Sequence, residues 1–180
     1  MACVPPLSES EAGRLLGELS RDAGTVRVTN MKRTLARAPV ALRAFMQWYD
    51  LHREVAAFLG ARAATVFVHA VSSQTDCLIC STFFRRWLTD AGEDPDALTL
   101  DDRERALAEY GRQLARDANA VPDDLVARLR AFLGDDRLVA LTALGGLMIA
   151  TNVFNNALRV DLDDYLQPYR KGAAGGRRGP

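Results

Sequence analysis

Apolar residues recur every three or four positions along most of the chain, which is the spacing of one face of a helix. The segment 40–59 shows this spacing most clearly, in five side chains that fall on one face: Phe45, Trp48, His52, Val55 and Leu59. Pro39 precedes the segment and Gly60 follows it, and both residue types are typical of helix boundaries. The pattern therefore predicts a helix between these two residues.

The next segment, 61–73, is mostly apolar. Its run from Thr65 to Val68 consists of β-branched and aromatic residues, which favour a strand locally. The residues on either side, however, do not alternate between apolar and polar, as a half-buried strand would require. We therefore predict a second helix here.

Capping residues divide the stretch that follows. Thr75 and Asp76 have the chemistry of a helix N-cap, and they predict a helix that begins at Cys77. This helix is expected to run to about Ala91, because Gly92 is a typical stop.

Two more helices and a long apolar one complete the pattern. Thr99 and Asp102 resemble a capping box for a polar, amphipathic helix that reaches about Asp117. Pro122 opens the next helix, since proline is tolerated in a first turn, and Gly134 closes it. The two aspartates after this glycine begin a long apolar helix.

No strand pair, hairpin turn or Gly-rich phosphate loop interrupts the helical pattern. The sequence therefore predicts an all-α fold, a single helical domain of about six to eight helices. We place this domain at residues 30–168. It follows an N-terminal extension with a short helix, 1–29, and precedes a basic, Gly-rich tail, 169–180, that we expect to be disordered.

The segment 138–158 carries no charge and is long enough to span a bilayer. It contains two glycines and three asparagines, however, and the three amides of Asn152, Asn155 and Asn156 would be costly in lipid. We interpret it as a helix buried inside the protein or an oligomer, and we expect no membrane contact.

Charge narrows the classes of function. The 23 basic and 23 acidic residues of the 180-residue chain cancel, which argues against a nucleic-acid binder. The first eleven residues lack the basic start and apolar stretch of a signal peptide, so we expect a cytoplasmic protein.

The dithiol of Cys77 and Cys80 is the clearest chemical feature. On one helical turn the two sulfurs can approach closely enough to form a disulfide, and a helix start lowers a cysteine pKa toward the reactive thiolate. A zinc site would need two further ligands, but the only histidines, His52 and His69, lie 17 residues apart. We therefore expect no metal. Two cysteines buried by chance remain an alternative, and Cys3 is given no role.

Four segments resemble the alkylhydroperoxidase D and carboxymuconolactone decarboxylase superfamily, and the likeness covers about residues 30–166. They are NMKRTLARAP at 30–39, CLIC at 77–80, LDDRERAL at 100–107 and IATNVFNNAL at 149–158. The resemblance implies an all-helical fold with the CxxC motif at a helix start, assembled as trimers or hexamers. It also implies a cofactor-free reduction of hydroperoxides by a dithiol that an electron donor regenerates.

The resemblance also implies roles for single residues. In peroxidase members the second cysteine, here Cys80, attacks the peroxide and the first, Cys77, resolves the intermediate. Position in the helix alone would favour Cys77, which lies nearer the positive end. The family pattern also has a Glu twelve residues before the first Cys and a His four after the second, where this chain has Thr65 and Phe84.

Other residues could replace the missing Glu and His. His69 and His52 are candidate bases, although a lone histidine on an apolar face is more often a core residue. Asn152 and Asn156 stand four apart on the long apolar helix, where they could line a substrate pocket or bond across a subunit interface. We group His52, Asn152, Asn156, Phe84 and Thr65 as candidate pocket residues, and Cys80, Cys77 and His69 as candidate catalytic residues.

The leading hypothesis is a thiol-dependent hydroperoxidase whose CxxC dithiol cycles through a disulfide. Its expected partners are a peroxide or small organic substrate, a dithiol reductant such as a thioredoxin-like or lipoyl protein, and further copies of itself in a dimer, trimer or hexamer. One alternative is a family member with altered chemistry, either a disulfide reductase or a lyase or isomerase for a small organic substrate. Another is a non-catalytic helical oligomer that senses redox state.

Overall fold

The computed structural model describes residues 2–19 and 27–172. Over these residues the protein is helical and contains no strand, which confirms the all-α prediction. The α-helices are α1 (Glu9–Leu19), α2 (Asn30–Leu35), α3 (Pro39–Leu59), α4 (Ala61–Gln74), α5 (Leu78–Asp90), α6 (Asp102–Asp117) and α7 (Asp123–Leu158). Two short 3-10 helices, Ala118–Ala120 and Asp164–Tyr169, follow α6 and α7.

Helix α4 lies at the centre of the fold and packs against α3, α5, α6 and α7. Phe67, Val68 and Val71 have no exposed surface. A helix surrounded on all sides is apolar on all sides, and this explains the run of strand-favouring residues. The prediction of a helix is confirmed because burial outweighs the local preference for a strand.

Two glycines let the neighbouring helices approach α4 closely. A Cβ at Gly111 in α6 would lie 2.9 Å from the carbonyl oxygen of Phe67. A Cβ at Gly145 in α7 would lie 2.8 Å from Leu114 Cδ1 and 3.1 Å from Phe67 Cζ. The contact at Gly111 is with a backbone atom that cannot move aside, so this position requires glycine, whereas a side chain at Gly145 would require Leu114 to shift.

The link between α4 and α5 is a helix C-cap. Asp76 has a positive φ of 50°, its N–H donates to the Ser73 carbonyl at 3.3 Å, and the Cys77 N–H donates to the Ser72 carbonyl at 3.1 Å. This pair of bonds is the Schellman motif. Thr75 is the C-cap of α4 and Cys77 is the N-cap of α5. The prediction that Thr75 and Asp76 cap α5 is therefore wrong, because both residues end the preceding helix.

A capping box opens α6, but at different residues from those predicted. Asp101 accepts the Glu104 N–H at 2.8 Å, and Glu104 accepts the Asp101 N–H at 3.1 Å. The expected pair of Thr99 and Asp102 is wrong. Arg62 of α4 explains the choice, since it pairs with Glu104 and also donates to the Thr99 carbonyl.

Helix α7 is divided at Gly134, where φ is 73° and ψ is 178°. The helix boundary predicted at this glycine is confirmed as a break in the helical backbone. Among the described residues α7 is the one helix long and apolar enough to cross a bilayer, with a mean hydropathy of 1.6 in its most apolar window. Of that window 39% is buried against the rest of the protein, while Val139 and Val153 are exposed. The absence of membrane contact stays a prediction.

The two ends of the described chain pack onto the fold. Helix α1, inside the segment 1–29, shares a small apolar cluster with α2 and α3 that contains Ala12, Leu35 and Leu42. The Tyr169 carbonyl accepts a hydrogen bond from Arg85 Nε at 3.1 Å, so the first residue of the expected tail belongs to the fold. The disorder predicted for the tail falls mainly on residues 173–180, which lie outside the described residues.

Candidate dithiol site

The start of α5 brings two free thiols together. Cys77, the N-cap, has no exposed surface, and Cys80, in the first turn, is 5% exposed. The two cysteines lie within 3.5 Å of each other and are not joined by a disulfide. This proximity allows a disulfide to form with little movement of the backbone.

The two thiols have different acidities. A hydrogen bond from the Cys80 thiol lowers the pKa of Cys77 to about 7, against the opposing effect of burial. Backbone N–H groups of Cys80 and Ile79 at the helix start contribute to this lowering. The pKa of Cys80 is raised well above its ordinary value, because Cys77 holds its proton in a hydrogen bond and because the site is buried. Cys77 is therefore the more acidic thiol of the pair, and the one that ionises first as the pH rises.

Asn155 of α7 is the amide that contacts both sulfurs. Its Nδ2 lies 3.3 Å from Cys80 Sγ, 3.6 Å from Met31 Sδ and 3.9 Å from Cys77 Sγ. Its Oδ1 is buried without a hydrogen-bond partner. An N–H donor stabilises the charged form of a thiol, so Asn155 favours a thiolate on either cysteine.

Sequence reasoning missed the role of Asn155. The spacing of four between Asn152 and Asn156 identified a polar face of the apolar helix, and Asn155 lies on the same face, three residues after Asn152. Helical spacing identifies the residues that share one face of a helix, but it does not identify which of them contacts the cysteines. The superfamily-like segment 149–158 contained all three amides.

Asn152 and Asn156 hold the link between α4 and α5. Asn152 Nδ2 donates to Thr75 Oγ1 at 2.8 Å, and Asn156 Nδ2 donates to the Thr75 carbonyl at 3.0 Å. Neither residue lines the apolar cavity that opens beside Cys80, although Asn156 lines a second cavity together with Thr75 and Ile79. Their contacts instead fix the residue two positions before Cys77, and so they position the first thiol.

An apolar cavity of about 60 Å³ opens beside Cys80, with room for several atoms the size of a water oxygen. Cys80 lines it and Cys77 does not. Aromatic and aliphatic side chains form most of the wall: Phe45, Trp48, Ile79, Phe83, Phe84 and Leu166. The cavity therefore presents one thiol, the less acidic one, to an apolar molecule.

Polar side chains also contribute to the wall of this cavity. Thr29, Asp163 and Tyr165 contribute to its wall, and Asp163 accepts the Asn30 N–H at 2.9 Å. Burial raises the pKa of Asp163. The Nζ of the buried Lys32 lies 4.9 Å from the centroid of the ring of Tyr49, which also lines the cavity. Burial lowers the pKa of Lys32 to about 8, while Asp163 opposes that effect.

The structure places both candidate histidines away from the cavity wall. Burial, with a smaller contribution from Arg85, lowers the pKa of His69 to about 4. The His69 Nε2 lies 3.4 Å from Ser73 Oγ. His52 stacks on Trp48 with ring centroids 4.7 Å apart, and its buried Nε2 has no hydrogen-bond partner. Over the described residues, neither imidazole hydrogen-bonds to a cysteine sulfur.

The two positions where the family pattern has Glu and His also differ in environment. Thr65 donates its hydroxyl to the Ala61 carbonyl at 2.8 Å within α4, and it is not part of the cavity wall. Phe84 is buried, lines the cavity and packs against Trp48 with centroids 6.0 Å apart. Of the five candidate pocket residues, Phe84 is the one that the structure places at the cavity.

Metal ligands do not converge at this site. Within residues 2–19 and 27–172, no group of three or more His, Cys, Asp or Glu side chains comes together.

The acidity of Cys77 leads to a testable pH dependence. Because its pKa is lowered to about 7, we expect thiolate absorbance at 240 nm to rise as the pH increases through 7. Cys77→Ser should remove this transition, while Cys3→Ser should keep it, since Cys3 is exposed and remote in sequence. A wild-type titration with no thiolate below pH 8 would contradict the proposed acidity.

Comparison with models of known protein families finds no match for the chain, and comparison with curated proteins finds none either.

Proposed function

We propose that the protein is a thiol-dependent hydroperoxidase whose Cys77–Cys80 dithiol cycles through a disulfide. One observation carries this proposal. Cys80 faces an apolar cavity, while a second, more acidic thiol lies within 3.5 Å of it and is sealed from solvent. An accessible sulfur with a sealed partner is the arrangement that a peroxide-attacking and a resolving cysteine require.

The superfamily-like segments support an alkylhydroperoxidase D-like fold with the CxxC motif at a helix start. The segment 30–39 contributes Met31, and 149–158 contributes Asn155, which contacts both Met31 and the CLIC dithiol. Three segments that are distant in sequence thus meet at one chemical group. Such convergence is expected when a shared motif serves a shared site.

Cys77 takes the place of the missing general base. Its thiolate accepts the hydrogen bond of the Cys80 thiol, so it can remove that proton as a peroxide enters. The Asn155 Nδ2, 3.3 Å from Cys80 Sγ, then stabilises the charge that moves to Cys80. This exchange needs neither a Glu at position 65 nor a His at position 84.

The reaction proceeds in two steps. The Cys80 thiolate attacks the outer oxygen of the hydroperoxide, the O–O bond breaks, and the alkoxide leaves as an alcohol after taking the proton from Cys77. The Cys77 thiolate then attacks the sulfenic sulfur of Cys80 and displaces hydroxide, which solvent protonates to water. An external dithiol, of a thioredoxin-like or lipoyl protein, reduces the resulting disulfide.

We further propose that the protein is cytoplasmic and that it assembles with copies of itself. Turnover of the dithiol requires a reducing compartment. Val139 and Val153 are 69% and 58% exposed on α7, and an apolar helix with exposed valines favours a homo-oligomer. A dimer, trimer or hexamer satisfies this proposal.

Thiol titration tests the function. The reduced protein is mixed with cumene hydroperoxide or hydrogen peroxide in a stopped-flow instrument, and free thiols are counted over time. We expect rapid loss of two thiols per chain and a Cys77–Cys80 disulfide in the mass spectrum. Cys3→Ser is the matched control and should behave like the wild type. Loss no faster than that of free cysteine at the same pH would contradict the proposal.

A further inference from the structure

Three methionines line the cavity beside Cys80. Met31, Met46 and Met148 all contribute to its wall. Met31 differs from the other two because its Sδ lies 3.6 Å from Asn155 Nδ2, the amide that also contacts Cys80. A hydroperoxide held in this cavity therefore meets a second oxidisable sulfur that shares a hydrogen-bond donor with the dithiol.

We propose that Met31 is a modification site, at which hydroperoxides form a sulfoxide that slows the dithiol by drawing the Asn155 amide away from Cys80. The proposal rests on the proposed function only for the supply of hydroperoxide to the cavity. Oxidation of Met31 would thus inhibit the dithiol when the peroxide concentration is high.

The oxidation of Met31 needs only the methionine and a hydroperoxide as reactants. A lone pair of Met31 Sδ attacks the outer oxygen of the hydroperoxide, an S–O bond forms and the O–O bond breaks. The sulfur loses two electrons, and the peroxide is reduced to an alkoxide. The transferred oxygen loses its proton to solvent, which leaves the neutral sulfoxide, and the alkoxide takes up a proton from solvent to give the alcohol, so the step needs no other oxidant or reductant.

The sulfoxide affects Cys80 because Asn155 has only a limited number of N–H groups to donate. Asn155 Nδ2 carries two N–H groups and faces three sulfurs, at 3.3, 3.6 and 3.9 Å. A thioether sulfur is a weak acceptor, and oxidation makes the side chain polar. The sulfoxide oxygen therefore competes for an N–H group that otherwise stabilises the Cys80 thiolate.

The experiment measures modification and thiol reactivity separately. The full-length protein is treated with excess cumene hydroperoxide, re-reduced with dithiothreitol, and its methionine sulfoxides are mapped by peptide mass spectrometry. The rate at which iodoacetamide alkylates Cys80 is then compared with that of untreated protein. We expect more sulfoxide at Met31 than at Met46, and alkylation slowed by about fivefold, the effect of losing one ordinary hydrogen bond. Methionine sulfoxide reductases should restore the rate.

Two variants complete the test. Met31→Leu keeps the volume of the side chain and should abolish the slowing. Met46 lines the same cavity but has no hydrogen bond to Asn155. In Met46→Leu, peroxide treatment should therefore slow the alkylation of Cys80 as much as in the wild type. Equal oxidation of Met31 and Met46, an unchanged alkylation rate after Met31 is oxidised, or equal slowing in Met31→Leu would overturn the proposal.

Alkylation does not require turnover of peroxide. If the thiols react with peroxide no faster than free cysteine, the hydroperoxidase proposal fails, and the sulfoxide map and alkylation rates still decide the role of Met31. The two proposals can therefore fail independently.

Discussion

Replacing Cys80 by serine is expected to reduce the rate of peroxide-dependent thiol loss on the order of 10³-fold or more, because the nucleophile itself is removed. Cys77 cannot take over the attack, since it has no exposed surface and is not part of the cavity wall. Stopped-flow titration of Cys80→Ser with cumene hydroperoxide measures the loss directly. Circular dichroism should show an unchanged helix content, because serine is smaller than cysteine and the backbone of α5 is undisturbed.

The matched variant Cys77→Ser should fail in a different way. Cys80 keeps its place at the cavity but loses both its base and its resolving partner. We expect slow consumption of one thiol, with Cys80 trapped as a sulfenic acid that dimedone labels. Serine at position 77 thus separates the first chemical step from the second.

The opposite pattern would reverse the roles of the two cysteines. If Cys80→Ser still formed a sulfenic acid and Cys77→Ser did not react, then the more acidic thiol would be the nucleophile. Such a result would require the start of α5 to open, since Cys77 is sealed in the structure. The two serine variants therefore decide between accessibility and acidity as the property that selects the attacking sulfur.

Replacing Phe67 by alanine is expected to lower the free energy of unfolding by about 3–5 kcal/mol, the cost of truncating a buried aromatic side chain. Phe67 has no exposed surface, and its ring lies 6.3 Å from that of Tyr110 in α6. Gly111 and Gly145 allow two helices to pack directly onto it. Truncation of the ring would leave a cavity at the centre of the fold, between three packed helices. Urea unfolding followed by circular dichroism measures the change.

Val40→Ala is the control for this prediction. Val40 is 71% exposed near the start of α3, and a surface substitution of this kind changes stability by about 0.5 kcal/mol or less. A loss below about 1 kcal/mol for Phe67→Ala would contradict the central position of this side chain in the core.

The sequence by itself determined the fold class and several helix boundaries. Pro39, Gly60 and Gly134 act on their own backbone, through a fixed φ or through tolerance of a positive φ, so their effects can be read without a structure. Helical spacing of apolar residues is likewise a local property. The dithiol was visible because both cysteines lie on one turn.

Tertiary packing decided the environment of that dithiol. The sequence offered three amides on one face of α7. Only the packing of α7 against α4 and α5 brought Asn155 to the sulfurs and Asn152 to Thr75. Two capping boxes were possible at the start of α6, one from Thr99 and Asp102 and one from Asp101 and Glu104. The second one forms, and its Glu104 pairs with Arg62, which lies more than 30 residues earlier in the chain. Such contacts join residues that are distant in sequence, so no local pattern contains them. The sequence therefore determined the main helices between residues 39 and 158 and the position of the thiols on one of them, while the packing of those helices decided which thiol faces the cavity and which amide supports it.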